Sequence, residues 1–159
     1  MKRLRYILGG LTVVLIVIQF IPTNLPDVTK ENPKDLLKGN LVSQDVAQLI
    51  KTSCYSCHSN ETQYPWYSLV APVSWLVARD VREGREELNF SNWSDYDLPK
   101  MLSKLEDIGT EVGEGHMPMP IYTFMHPSTK LDDTQRKIIV TWAEAAMDSV
   151  TNAEDEEEN

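Results

Sequence analysis

Apolar residues recur at helical spacing in several stretches of this chain, and polar loops separate those stretches. Residues 43–53 predict a short helix whose apolar face is formed by Val46, Leu49, Ile50 and Cys54. A second helix is predicted to begin near Pro72, because proline suits a first helical position, where its missing N–H is not needed. Its apolar stripe comprises Val73, Val77, Val81, Gly84 and Leu88.

Two further helices are predicted in the second half of the chain. Ser94 or Asp95 can cap the first of them, whose apolar positions are Leu98, Met101, Leu102, Leu105 and Ile108. The last helix is predicted to start near Asp132, because Asp132 and Gln135 resemble a capping box. Its apolar face comprises Ile138, Ile139, Trp142, Ala145 and Ala146. Since no strand pattern of useful length is visible, residues 41–150 are predicted to form one all-α domain.

The N-terminal segment 1–21 has a basic start followed by an apolar run, and predicts a signal-anchor or transmembrane helix. A cleaved signal peptide is the alternative, but no small-x-small cleavage site follows. The basic residues Lys2, Arg3 and Arg5 place the N-terminus in the cytoplasm by the positive-inside rule. The expected location is therefore the bacterial cytoplasmic membrane, as a single-pass protein with its domain on the periplasmic side.

Two segments flanking the predicted domain are expected to contribute no residues to its hydrophobic core. Residues 22–40 contain three prolines among polar residues and read as a semi-extended spacer. Residues 151–159 form an acidic tail without a hydrophobic run, which predicts disorder. The chain of 159 residues has a formal net charge of −9. This acidity argues against nucleic acid as a partner, because phosphate binding needs clustered lysine and arginine.

The segment Cys54-Tyr55-Ser56-Cys57-His58 reads C-x-x-C-H, the attachment sequence for a c-type haem. Two thiols three positions apart can add to the two vinyl groups of one porphyrin, and the following histidine can reach the iron. Zinc would need four protein ligands, and His58, His116 and His126 complete no finger spacing with the cysteines. A thioredoxin-like pair would need a βαβ context. We therefore expect a cytochrome c-like helical domain around one covalent haem, preceded by an N-terminal transmembrane helix.

The sixth iron position decides what such a haem can do. The candidates lie together in Gly115-His116-Met117-Pro118-Met119-Pro120, a loop between two predicted helices. We predict Met117 as the sixth ligand, because its thioether lies on a loop stiffened by proline. Met119 and His116 are the alternatives. For the ring nitrogen of His58 that does not face the iron, we expect a backbone carbonyl of the loop 64–72 as acceptor.

The sequence resembles the haem-binding domain family of small, membrane-anchored c-type cytochromes. The resemblance is carried by Cys54-Tyr55-Ser56-Cys57-His58-Ser59-Asn60-Glu61-Thr62, Pro65-Trp66-Tyr67-Ser68, Ala71-Pro72-Val73-Ser74-Trp75, Met117-Pro118, Tyr122, His126-Pro127, Lys130-Leu131 and Trp142. It implies a covalent haem c with Cys54 and Cys57 as thioether links and His58 as axial ligand. It does not imply one particular reaction.

Three functions are compatible with these residues. The favoured hypothesis is a carrier of single electrons between membrane-bound or periplasmic redox proteins, with the iron closed by His58 and Met117. The second is a peroxidase-like haem enzyme with an open or displaceable sixth position, in which His116 could serve as the distal acid–base residue. The third is a haem-bearing subunit or sensor of a larger membrane complex.

Overall fold

The computed structural model describes residues 2–157, so the first residue of the predicted anchor and the last two of the predicted tail lie outside the described residues. The α-helices are α1 (Lys2–Ile18), α2 (Gln44–Ser53), α3 (Tyr55–His58), α4 (Val73–Glu87), α5 (Leu98–Gly113), α6 (Pro120–Met125) and α7 (Asp133–Glu157). Short 3₁₀ helices occupy Leu36–Lys38, Trp66–Leu69, Phe90–Asp95 and Pro127–Thr129. Over residues 2–157 the chain contains no strand, and the all-α prediction is confirmed.

The hydrophobic core is centred on the contact between α5 and α7, the most extensive helix pair of the fold. Its buried residues from these helices are Leu105, Ile108, Val112, Ile139, Trp142, Ala143 and Ala146. The alanines allow α5 to approach closely, since Ala143 is completely buried. The indole Nε1–H of Trp142 donates to the Leu41 carbonyl at 2.9 Å and so joins α7 to the residues before α2.

Side-chain caps fix where α5 and α7 begin. The capping box predicted at the last helix is present, because Asp132 Oδ1 accepts from the Gln135 N–H at 2.8 Å and Gln135 Oε1 accepts from the Asp132 N–H at 2.9 Å. Helix α5 is capped by Asp97, which accepts from the Lys100 N–H at 3.0 Å. The predicted caps Ser94 and Asp95 instead lie in a 3₁₀ helix, so α5 starts later than expected.

Helix α1 corrects the prediction of an N-terminal transmembrane helix. None of the helices within residues 2–157 combines the length and the apolar character needed to cross a membrane. Helix α1 has 17 residues and three of its first four are basic. At about 1.5 Å per residue it measures roughly 25 Å, less than the ~30 Å of a bilayer core. The predicted transmembrane helix over 1–21 is therefore wrong, and so is the single-pass membrane localisation that depended on it.

The segment 19–32, here called the N-terminal strap, is held to the domain by hydrogen bonds along its length. The Gln19 side chain donates to the Ala71 carbonyl and accepts from the Ala71 N–H, both at 3.0 Å. Farther along, the Pro26 carbonyl accepts from the Tyr64 hydroxyl at 2.7 Å. Leu36, just beyond the strap, is 2 % exposed and belongs to the core. The proline-rich segment 22–40 thus packs as part of the domain, where the sequence suggested a spacer.

Helix α7 also extends farther than the hydrophobic pattern indicated. It continues to Glu157, so most of the segment 151–159 is helical where disorder was expected. Alanine and glutamate are good helix formers, and they can prolong a helix that is already anchored by packing. The apolar face itself ends near Val150, which packs against the core.

Candidate functional site

The C-x-x-C-H motif lies on one short turn between α2 and α4. Cys54 ends α2 and begins α3, and its carbonyl accepts from the N–H groups of Cys57 and His58 at 3.1 and 3.0 Å. This local bonding brings the two thiols and the imidazole onto one turn, as their spacing predicts. Both cysteines are free. Burial raises the pKa of Cys54 to about 12 and that of Cys57 to about 11, so both are protonated thiols before any reaction.

The imidazole of His58 is oriented by the C-terminal end of α4. Its Nδ1–H donates to the carbonyls of Gly84 at 2.8 Å and Leu88 at 3.1 Å. These contacts fix the neutral tautomer with the proton on Nδ1, which leaves Nε2 as a free base and a metal ligand. Burial lowers the pKa of His58 and favours the same neutral form. The expected acceptor in the loop 64–72 is replaced by these two carbonyls.

A glycine allows α4 to come this close to the motif. A Cβ atom at Gly84 would lie 3.0 Å from the Cys57 carbonyl oxygen and 3.3 Å from the Cys57 Cβ. Any larger residue would therefore separate α4 from the turn and move the Gly84 carbonyl away from His58. Gly84 belongs by spacing to the apolar stripe of α4, but a glycine inside a helix can also indicate a close backbone approach.

Arg85, the next residue along α4, fixes the chain immediately after His58. Its Nε donates to the Ser59 carbonyl and one terminal nitrogen donates to the Asp27 carbonyl, both at 2.8 Å. The other terminal nitrogen donates to Thr62 Oγ1 at 2.9 Å. One guanidinium group thus joins α4, the segment following the motif and the N-terminal strap.

Two adjoining cavities of about 270 and 350 Å³ open beside the motif. Both are lined by Cys54, His58, Met117 and Pro118. The larger cavity extends into the core, and its apolar walls include Ile50, Leu88, Phe90, Ile108, Val112 and Ile139. A third cavity of about 500 Å³ adjoins Cys57 and shares Met119 and Tyr122 with the smallest one. The motif therefore borders a long, mainly apolar cleft.

The three candidates for a sixth ligand have different surroundings. Met117 is half-buried, packs against the core and lines both cavities that His58 lines. Its N–H donates to the Glu111 carbonyl at 3.0 Å and its own carbonyl accepts from Arg136 at 2.7 Å, so the backbone is held on both sides. Met119 shares only the smallest cavity with His58. It also borders the third cavity, which His58 does not line.

His116, the third candidate, is directed away from the cleft. Its side chain is 62 % exposed, and Nδ1 lies 3.5 Å from carboxylate oxygens of both Glu111 and Glu114. His116 borders none of the three cavities. The structure thus brings Cys54, Cys57, His58 and Met117 together and leaves His116 outside.

Aromatic side chains lie on two sides of the site. Phe90 lies edge-on to the His58 ring at 6.4 Å between centroids, and Tyr55 stacks on Phe90 at 5.7 Å. On the other side, the rings of Tyr122 and His126 lie 4.7 Å apart. Phe90 lies far from the motif in the sequence and meets His58 only through tertiary packing, so no local spacing marks it as a site residue.

A zinc site at the motif would need ligands in addition to the two cysteines. Within the part of the chain that the structure describes, no group of three or more His, Cys, Asp or Glu residues could hold a metal ion. A structural zinc site requires four such ligands. Cys54 and Cys57 therefore have no zinc-binding partners among these residues.

Comparison with known protein families gives one match for this chain. A model of the haem-binding domain family matches residues 13–145, which is most of the chain. The chain therefore belongs to the haem-binding domain family. Searches among curated proteins and among solved structures find no match.

The residues around the cleft fit a haem. The walls are mainly apolar, as a porphyrin requires, and His58 presents an unprotonated nitrogen whose orientation is fixed from behind. A thioether from Met117 lines the same two cavities as His58. Haem binding is thus supported both by the family and by the donor set of the site.

Proposed function

We propose that this haem protein is an electron carrier of the c type. Cys54 and Cys57 hold one haem through thioether bonds, His58 is the axial ligand, and Met117 closes the sixth position. Its partners are other redox proteins, between which it transfers single electrons. The observation that carries this proposal is that His58 and Met117 line the same two cavities. The smaller of these cavities borders both Cys54 and Cys57, and the larger borders Cys54.

The arrangement of His58 supports a ligand that does not move when the iron changes oxidation state. Two carbonyls hold its Nδ1–H at 2.8 and 3.1 Å, and Phe90 lies against the ring. A bound haem supplies a reversible one-electron change between ferric and ferrous iron. A ring fixed in this way needs little reorganisation during that change, which favours electron transfer over chemistry at the metal.

The arrangement of Met117 supports a closed iron for the same reason. Its backbone is anchored at Glu111 and Arg136, so the thioether is presented from a loop that is tied to α5 and α7. Met ligation raises the reduction potential relative to a second histidine. An exposed His116 directed at Glu111 and Glu114 gives no support to a distal acid–base residue.

Covalent attachment is tested by expressing the full chain with a cytochrome c maturation system and extracting it with acidified organic solvent. The haem is expected to stay with the denatured protein, because thioether bonds survive extraction. The double variant Cys54→Ser/Cys57→Ser should lose it. Extraction of the haem from the unaltered protein would contradict covalent attachment while leaving haem binding intact.

The sixth ligand is tested by separate Met117→Ala and Met119→Ala variants of the haem-loaded protein. Met117→Ala should abolish the weak far-red absorption band of Met-ligated ferric haem, whereas Met119→Ala should retain it. The two variants remove the same side chain two positions apart, so each is the control for the other. Loss of the band only in Met119→Ala, or a high-spin spectrum in the unaltered protein, would refute the assignment.

A further inference from the structure

A buried carboxylate lies directly behind the motif. Asp35 is 5 % exposed and accepts three hydrogen bonds. Its donors are the Leu37 N–H at 2.9 Å, the Ser91 hydroxyl at 3.2 Å, and the hydroxyl of Tyr55. All three groups donate to it, so the Asp35 side chain acts as the acceptor in each of these hydrogen bonds.

This charge has no cation beside it. Within residues 2–157 no lysine, arginine or histidine forms an ion pair with Asp35, and the neighbouring Lys34 pairs with the exposed Asp95. An isolated buried charge is costly unless other groups offset it. Hydrogen bonds offset part of that cost, and a cationic cofactor bound at His58 would offset more.

Two aromatic rings connect Asp35 to the iron ligand. Tyr55, which donates to Asp35, is the first residue between the two cysteines of the motif. Its ring stacks on Phe90 with an interplanar angle of 13°, and Phe90 lies against His58. These two rings therefore form a packed connection between Asp35 and His58. Buried charges are screened less by salt than exposed ones.

We propose that the Asp35 carboxylate lowers the reduction potential of the haem by stabilising the ferric iron. This rests on the proposed function, in which His58 ligates the iron of a bound haem. Ferric haem carries one more positive charge than ferrous haem, so a fixed negative charge behind the axial ligand favours the ferric state. Asp35 thereby offsets part of the increase in potential that Met117 ligation produces.

The test is a redox titration of the haem-loaded full chain and its Asp35→Asn variant. Asparagine keeps the shape of the side chain and removes the charge. Charges on the order of 10 Å apart in a protein interior interact strongly enough to change an equilibrium roughly tenfold. We expect the ferrous-to-ferric ratio at a fixed ambient potential to rise about tenfold, which for one electron is a shift of about 59 mV to higher potential.

Two controls separate the charge from net-charge and packing effects. Asp95→Asn changes the net charge equally on the exposed surface, where salt screens it, and should alter the ratio less than twofold. Tyr55→Phe removes a donor but keeps the carboxylate, and should also stay close to the unaltered protein. A Tyr55→Phe shift as large as that of Asp35→Asn would mean that packing rather than charge sets the potential.

Stability measurements keep the proposal testable if Asp35→Asn folds poorly. Urea unfolding in both oxidation states should show that the substitution destabilises the ferric protein more than the ferrous one. Asp35→Ser provides a second variant without the charge. Equal destabilisation of both states, or an unchanged potential, would refute the role of Asp35. Absence of bound haem in the unaltered protein would instead refute the proposed function.

Discussion

Gly84 provides a direct test of the contact between α4 and the motif. In Gly84→Ala the new Cβ would lie 3.0 Å from the Cys57 carbonyl oxygen, and backbone atoms cannot move aside as the end of a flexible side chain can. Helix α4 must therefore shift away from the turn. The 2.8 Å hydrogen bond between His58 Nδ1 and the Gly84 carbonyl lengthens in the same movement.

The expected change in the free energy of unfolding is the sum of one stabilising and two destabilising contributions. Alanine stabilises a helix interior by about 0.5–1 kcal/mol relative to glycine. Overpacking against the backbone costs about 1–3 kcal/mol, and a weakened hydrogen bond costs roughly 0.5–1.5 kcal/mol. Gly84→Ala should therefore lower the free energy of unfolding by about 0.5–4 kcal/mol.

Gly109→Ala is the matched control, because Gly109 also lies inside a helix and its new Cβ would meet only the Ala143 Cβ at 4.0 Å. It should gain about 0.5–1 kcal/mol from helix propensity alone. Urea unfolding of both variants of the full chain measures the difference. If Gly84→Ala were as stable as Gly109→Ala, the close approach of α4 to Cys57 would be refuted.

Two further substitutions, each paired with a control substitution, test the hydrogen bonds that hold the site in place. Arg85→Met removes three donated bonds and should lower the free energy of unfolding by about 1.5–3 kcal/mol. Arg82→Met, which loses one 3.2 Å bond to the Asn24 carbonyl, should lose less than about 1 kcal/mol, and equal losses would contradict the role of Arg85. Tyr67→Phe removes the 2.5 Å hydrogen bond to His126 and should speed amide hydrogen exchange in α6. Tyr64→Phe should instead speed exchange in the N-terminal strap, and an unchanged α6 in Tyr67→Phe would show that other contacts hold this helix.

Local sequence signals predicted the elements that depend on neighbouring residues. The capping box at Asp132 and Gln135 and the apolar spacing of α2 involve contacts within one helical turn, and both are present. The predicted cap of α5 was displaced to Asp97, because several capping residues stand close together and propensity alone does not rank them.

Contacts between distant segments could not be predicted in this way. The partner of His58 Nδ1 is a backbone carbonyl, and every residue has one, so no side-chain pattern identifies Gly84 or Leu88. The N-terminal strap read as a spacer because much of its attachment uses its own carbonyls, at Asn24, Pro26 and Asp27, which no side-chain pattern marks. For α1, the apolar run was visible in the sequence, but the helix is too short to span a membrane.

The end of α4 sets the geometry of the haem site more than the motif itself does. The absence of a side chain at Gly84 lets Cys57 pack closely against α4. The carbonyls of Gly84 and Leu88 both accept a hydrogen bond from His58 Nδ1. The Arg85 side chain donates a hydrogen bond to the Ser59 carbonyl. The motif supplies the reactive atoms, but a histidine on a four-residue helix has no intrinsic orientation. Substitutions between residues 84 and 88 should therefore change the orientation and the basicity of the His58 ring even though they leave every residue of the motif unaltered.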